Sequence, residues 1–148
     1  MLPCLLTDTV STDLARAVDL TLLWGLEGME LRTVGSPDER VPRINEGALR
    51  ERLMIDDLPV VAIAPSMFEG RAGDKAVWLN ELAGFEETLS FCRRIGCSRV
   101  VISSFASMGE GGAGMVVDAL RRAGAEAERA GIRLAVLNEL GMEHETGK

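Results

Sequence analysis

The residues best suited to chemistry lie near the carboxyl end of the sequence. Glu139 follows an apolar run, Arg133 to Asn138, that predicts a buried strand, and His144, the only histidine, comes five residues later. A carboxylate can bind a divalent cation or move a proton, and an imidazole titrates near neutral pH, so both suit acid–base work or metal binding. The alternatives are a solvent-exposed charge at a strand end for Glu139 and a tail residue between two glutamates for His144.

A second charged pair, Glu30 and Arg32, closes the predicted strand Gly28 to Arg32. A carboxylate and a guanidinium at a strand end could contact a hydroxyl or phosphate group of a substrate. They could equally pair with charged neighbours at the rim of the sheet, and the sequence leaves both interpretations open.

A glycine-rich run between a predicted strand and a predicted helix has the spacing GxGxxG, from Gly109 to Gly114. This spacing suggests dinucleotide binding, with Glu139 at the end of the following strand. The fingerprint needs a tight turn directly after the strand, whereas Phe105 to Met108 intervene here. We therefore predict a flexible loop with no cofactor-binding residues.

The three cysteines are Cys4, Cys92 and Cys97. An odd number without CxxC spacing fits neither a disulfide framework nor a zinc site, so we predict reduced thiols in a cytoplasmic protein. Cys92 lies on the apolar stripe of a predicted helix and is interpreted as a packing residue. Cys4 and Cys97 have no neighbouring base in the sequence, so no nucleophilic role is expected.

The composition predicts one globular domain over residues 1–148, with 47% hydrophobic and 26% charged residues. The net charge of −7 argues against a nucleic-acid partner, and the arginine pairs 93–94 and 121–122 are interpreted as solvated helix surfaces. The amino terminus lacks the basic region of a signal peptide, and no apolar stretch is long enough to span a membrane.

Hydrophobic periodicity and turn residues predict five strands alternating with four helices. The predicted strands are 3–9, 28–32, 60–64, 99–104 and 133–138, and the predicted helices are 13–24, 46–57, 78–95 and 115–130. This alternation predicts an α/β fold with a parallel sheet and right-handed crossovers. Two architectures fit: an open doubly wound sheet, or the first half of a (β/α)8 barrel, which in complete form needs roughly 250 residues.

Five segments carry a resemblance that decides between these architectures. They are GMELRTVG, RVPRIN, LPVVAIAPSMFEG, WLNELAGFEETLSFCRRIGCSRVVISSF and RLAVLNELGMEHETG. Together they resemble the xylose-isomerase-like TIM barrels, which include sugar phosphate isomerases and epimerases and AP endonucleases related to endonuclease IV. The resemblance predicts the N-terminal half of a TIM barrel, comprising strands one to five.

The resemblance also implies a function. Such proteins act on a small sugar or sugar phosphate at the C-terminal mouth of the barrel, where a divalent metal (Mg, Mn, Co or Zn) is expected. The first ligand is a Glu at the end of strand five, within Glu-Asn-Glu followed by Thr-Gly, and the other ligands come from strands six to eight. The metal polarises a carbonyl group while a carboxylate moves a proton between neighbouring carbons.

The sequence departs from this pattern in two ways. Aligning Asn138 and Glu139 places Leu137 where the first Glu is expected, and Glu139 has the same strand parity, so we predict Glu139 as both catalytic group and metal ligand. Glu30, Arg32 and His144 are predicted to bind substrate. The sequence also stops before a sixth strand, so we expect a homo-oligomer or a missing C-terminal half. The alternative is a non-catalytic half barrel that serves assembly or interaction, and whether the chain is an enzyme stays open.

Overall fold

Five strands alternate with four helices in the computed structural model, which describes residues 3–36, 38–105 and 113–137. The elements are β1 Cys4–Leu6, α1 Leu14–Leu23, β2 Gly28–Leu31, α2 Glu46–Asp56, β3 Val60–Ile63, α3 Lys75–Ile95, β4 Arg99–Ser103, α4 Ala113–Arg129 and β5 Arg133–Leu137. The predicted order is confirmed. The first strand is shorter than predicted because Thr7–Thr9 form a 3-10 turn.

The strands form one sheet in the order β1-β2-β3-β4-β5, and every neighbouring pair is parallel. A doubly wound sheet reverses its strand order at a switch point, whereas a barrel adds each strand beside the previous one. The sequential order therefore excludes the open doubly wound alternative. It confirms the predicted half barrel.

The two faces of the sheet differ in burial. Met29, Leu31, Ile63, Val100 and Ile102 are at most 1% exposed and share one hydrophobic core with residues of all four helices. Their sequence neighbours point to the opposite side because side chains alternate along a strand. We call that side the open face, and it carries Cys4, Leu6, Glu30, Arg99, Val101, Ser103, Arg133, Ala135 and Leu137.

Local signals position the helices. The side chains of Asp13 and Asn45 accept hydrogen bonds from the backbone N–H groups of Arg16 and Ala48, as expected of N-caps. Asp74 caps α3, which therefore begins three residues before the predicted start at Trp78. Gly96, with φ +75°, ends α3 in the left-handed conformation that favours glycine.

The helix surfaces are polar where the sequence predicted it. The arginine pairs 93–94 and 121–122 are exposed on α3 and α4. The guanidinium of Arg122 lies 6.0 Å from the ring centre of buried Trp78, which links α4 to α3. In the three ranges given above, no helix has the length and apolar character that a membrane crossing requires.

Candidate active site at the strand C-termini

Parallel strands place their carboxyl ends at one edge of the sheet, which we call the mouth. Its described parts are the segments after the first four strands together with the last residue of β5. They are residues 7–9, 32–34, 64–69 and 104–105, and Leu137.

A buried threonine joins the ends of β1 and β2. Thr7 is 1% exposed. Its hydroxyl donates to the carbonyl of Thr33 at 3.2 Å and accepts from the backbone N–H of Arg32 at 3.2 Å. A hydroxyl that is both donor and acceptor leaves no unsatisfied polar group in this buried place. The first corner of the mouth therefore has a fixed backbone.

An ion pair fixes the Arg32 side chain at this corner. Its Nε lies 2.8 and 2.9 Å from the two carboxylate oxygens of Asp8, and its Nη2 lies 2.8 Å from Oδ1. Burial raises the pKa of Asp8, but hydrogen bonds from Arg32 and Thr33 and the charge of Arg32 outweigh it, so the pKa is lowered. Asp8 is thus an anion at neutral pH that orients the guanidinium.

Glu30 lies in β2, two residues before Arg32 and one step below the mouth. Its carboxyl is half-buried on the open face. Burial raises the pKa of Glu30, and the charges of Arg32 and Arg99 offset this only in part. A carboxyl group with a raised pKa is more readily protonated near neutrality than an exposed one. The structure therefore places the two predicted substrate-binding residues, Glu30 and Arg32, side by side.

Two stacked phenylalanines hold the loops that follow β3 and β4. The rings of Phe68 and Phe105 are 4.6 Å apart, and the backbone N–H of Phe105 donates to the carbonyl of Phe68 at 2.9 Å. Both residues have positive φ, 61° and 73°. Left-handed backbone at a non-glycine residue costs on the order of 1–3 kcal/mol, so packing must hold it. Neither phenylalanine stands out in the sequence, since residue type gives no signal for this conformation.

A second polar group lies beside the mouth. Arg40 Nη2 is 2.5 Å from Glu69 Oε1, and the Ser66 hydroxyl donates to Glu69 Oε2 at 2.7 Å. Arg40 and Ser66 border a cleft of about 270 Å³ between the loop after β2 and α3, to which Glu81 also contributes. The cleft includes neither Glu30 nor Arg32 and is therefore separate from the first corner of the mouth.

The described residues do not by themselves form the expected metal site. Within ranges 3–36, 38–105 and 113–137, no group of three or more His, Cys, Asp or Glu side chains could hold a metal ion. Leu137 pairs in register with Ser103 and is 41% exposed, so the last described position of β5 carries no carboxylate. Glu139 and His144 lie outside the described residues, as does most of the glycine-rich run; its last glycine, Gly114, lies in α4.

The sequence profile of the family described as xylose isomerase-like TIM barrel matches residues 18–148. The chain belongs to this family. The match covers β2 to β5 and all but the first residues of α1, so the resemblance of the five segments is confirmed. No curated protein matches the chain.

Solved structures of xylose isomerase-like proteins share the fold. A xylose isomerase domain protein from Alicyclobacillus acidocaldarius has TM-score 0.70 and 20% identity, with 97% of this chain and 53% of that protein covered. A sugar phosphate isomerase/epimerase from Parabacteroides distasonis gives 0.68 and 16%, with 90% and 50% covered. An IolI protein with a bound zinc atom gives 0.66 and 19%, with 92% and 51% covered.

The chain spans about half the length of these three proteins. At these identities the likeness shows the fold alone. It agrees with the five sequential strands, which are five of the eight strands of a complete barrel.

Proposed function

We propose that this chain forms part of a sugar or sugar phosphate isomerase or epimerase that uses metal-assisted proton transfer next to a carbonyl group. The observation that carries the proposal is the first corner of the mouth, where Asp8 orients Arg32 beside half-buried Glu30. Membership of the xylose isomerase-like family and the position of the corner at the strand C-termini support it. A small sugar as partner and a cytoplasmic location belong to the same proposal.

The proposal gives a task to each predicted site residue of this chain. Arg32, oriented by Asp8, binds a phosphate or hydroxyl oxygen of the substrate. Glu30, with its raised pKa, hydrogen-bonds a substrate hydroxyl as donor or acceptor. Glu139 is the proposed base that moves the proton, and His144 a further substrate contact.

A divalent ion is part of the proposal, with Glu139 as one ligand. When bound, such an ion polarises the carbonyl group and so acidifies the neighbouring carbon–hydrogen bond. The zinc named for the IolI protein, which has the same fold, supports this choice. The described residues do not complete such a site by themselves, because they contain no group of three or more His, Cys, Asp or Glu side chains that could hold a metal ion.

Proton exchange tests the proposal whichever sugar is the substrate. Isomerases and epimerases both move the proton next to a carbonyl, so the chain with Mn²⁺ or Zn²⁺ should exchange that hydrogen for deuterium in D2O, as followed by NMR on a panel of aldoses, ketoses and their phosphates. Glu139→Gln should abolish the exchange, and Glu51→Gln, an exposed change on α2, should leave it unchanged. Exchange that is unaffected by Glu139→Gln would disprove the assignment of the base.

The second candidate function is a non-catalytic half barrel that serves assembly or interaction. One observation favours it: the exposed, apolar Leu137 stands at the end of β5, where the resemblance places a metal-ligating Glu. Under this alternative, no sugar in the panel exchanges, and Leu137→Glu creates no metal binding detectable as a thermal shift with Mn²⁺. Light scattering should then show a stable assembly of two or more chains.

A further inference from the structure

Two thiols meet at the carboxyl end of α3. Cys92 lies in the last turn of the helix and Cys97 lies just past the glycine that ends it. The backbone N–H of Cys97 donates to the carbonyl of Cys92 at 2.9 Å, across Gly96 with φ +75°. This closure is that of a Schellman motif, in which the side chains at these two positions pack against each other.

The side chains of the two cysteines are close enough for each thiol to shift the pKa of the other. The Cys97 Sγ donates to the carbonyl of Arg99 at 3.3 Å. The two residues are 0% and 3% exposed, and both thiols are free. In the sequence Cys92 is interpreted as a packing residue and Cys97 has no predicted partner, because a spacing of five residues is not a recognised thiol motif.

The environment favours one thiolate in the pair. The interaction with Cys92 lowers the pKa of Cys97; burial and the charge of Glu30 oppose this effect, while a backbone hydrogen bond from Arg99 and the charge of Arg99 add to it. The interaction between the two thiols, together with burial, raises the pKa of Cys92. Because the thiolate is the nucleophile in disulfide exchange, Cys97 is the attacking residue and Cys92 the resolving one.

We propose that Cys92 and Cys97 form an intramolecular disulfide in exchange with a low-molecular-weight disulfide such as oxidised glutathione. The Cys97 thiolate attacks one sulfur of the glutathione disulfide and releases the first glutathione thiolate. Cys92 then loses its proton, attacks the Cys97 Sγ of the mixed disulfide and releases the second. Two protein thiols are oxidised to one disulfide, and one glutathione disulfide is reduced to two thiols.

The disulfide would join the end of α3 to the segment that leads into β4. Cys97 stands two residues before Arg99, the first residue of that strand. Its formation removes the Sγ–H that donates to the Arg99 carbonyl. The modification is thus a reversible covalent link at the sheet edge opposite the mouth.

Peptide mapping tests the proposal because trypsin cuts between the two cysteines, after Arg93 and Arg94. The folded chain is equilibrated in glutathione buffers of increasing oxidised fraction, quenched with acid, alkylated and digested. A Cys92–Cys97 disulfide holds the peptides Ala76–Arg93 and Ile95–Arg99 together as one species, which reductant separates. The expected result is that this species appears in the folded chain at an oxidised fraction about tenfold lower than in the urea-unfolded chain.

Two variants provide matched controls. Cys4→Ser, which removes the exposed thiol, should leave the linked species unchanged. Cys92→Ser should replace it with a glutathione adduct on Cys97, because the resolving thiol is gone. The proposal is overturned if Cys92 and Cys97 both remain free thiols, and are therefore alkylated, in glutathione buffers that modify Cys4. It is also overturned if the Cys92–Cys97 link forms equally well in the unfolded chain.

Discussion

The two ends of the described mouth differ in how completely the chain's own contacts determine them. At the β1–β2 corner, a buried hydroxyl joins the strand ends and a carboxylate holds Arg32 by three short contacts. At the β4–β5 corner, Ser103 is paired with an exposed, apolar Leu137. The first corner is preorganised for polar contacts, whereas the described end of the second carries an exposed leucine.

Strand position does not explain this difference, because within the described residues each corner joins an edge strand to an inner one, β1 to β2 and β5 to β4. The residue types at the strand ends make the difference. Thr7 and Asp8 bond to the segment after β2 across a single strand spacing, whereas Leu137 brings no polar side chain to the end of β5.

Phe68→Ala should have the largest effect on stability. It removes a fully buried ring and its stack on Phe105, which should lower the free energy of unfolding by about 3–5 kcal/mol. Leu137→Ala, at the exposed corner, should cost less than about 1 kcal/mol. Urea unfolding of both variants gives the comparison, and equal losses would contradict the contrast between the packed loops after β3 and β4 and the exposed end of β5.

Thr7→Val tests the link between β1 and β2 with almost no change of shape. The variant leaves the part-buried N–H of Arg32 and carbonyl of Thr33 without their hydroxyl partner, so it should lose about 1–3 kcal/mol. Thr9→Val removes an exposed hydroxyl in the same turn and should stay within about 0.5 kcal/mol of wild type. A neutral Thr7→Val would mean that the backbone alone holds this corner.

Asp8→Asn should change how stability depends on pH. The pKa of Asp8 is lowered in the folded chain, so its contribution is fully present above the unfolded value of about 3.9 and is lost as the pH falls through the folded pKa. The stability difference between wild type and Asp8→Asn should therefore be largest near pH 6 and shrink towards pH 2. Urea unfolding across this range measures it, and a difference that does not vary with pH would show that the ion pair adds nothing beyond a neutral hydrogen bond.

Glu30→Gln should show the smallest effect on stability, with the opposite sign. The pKa of Glu30 is raised in the folded chain, so wild type loses stability as the pH rises from the unfolded value of about 4.3 through the folded pKa. Glu30→Gln lacks this loss and should gain relative to wild type at pH 7 compared with pH 4. Under the proposed function it should also slow deuterium exchange into the substrate, whereas Glu51→Gln should alter neither property.

Local signals in the sequence were enough for the fold. Helices begin after Asp13 and Asn45 and end before Gly96, close to the predicted bounds, because capping depends on a few neighbouring residues. Glu30 lies in β2 and Arg32 directly after it, near the predicted strand end, while their role in substrate binding stays a prediction.

The rest depended on contacts between distant residues. The partners of Thr7 and Asp8 lie 24 to 26 residues away, and the sequence offers no pattern for such pairs. The stack of Phe68 on Phe105 depends on two backbone conformations that residue type does not indicate. The metal ligand Glu139 and the substrate contact His144 stay predictions, since both fall outside the described residues.

The sequential strand order has a consequence for how the protein is made. Each strand from β2 to β5 pairs with the strand that precedes it in the chain. During synthesis at about 5–20 residues per second, every new strand leaves the ribosome after its partner has already emerged. The sheet can therefore grow one βα unit at a time in the direction of translation, and its growing edge is always the newest strand.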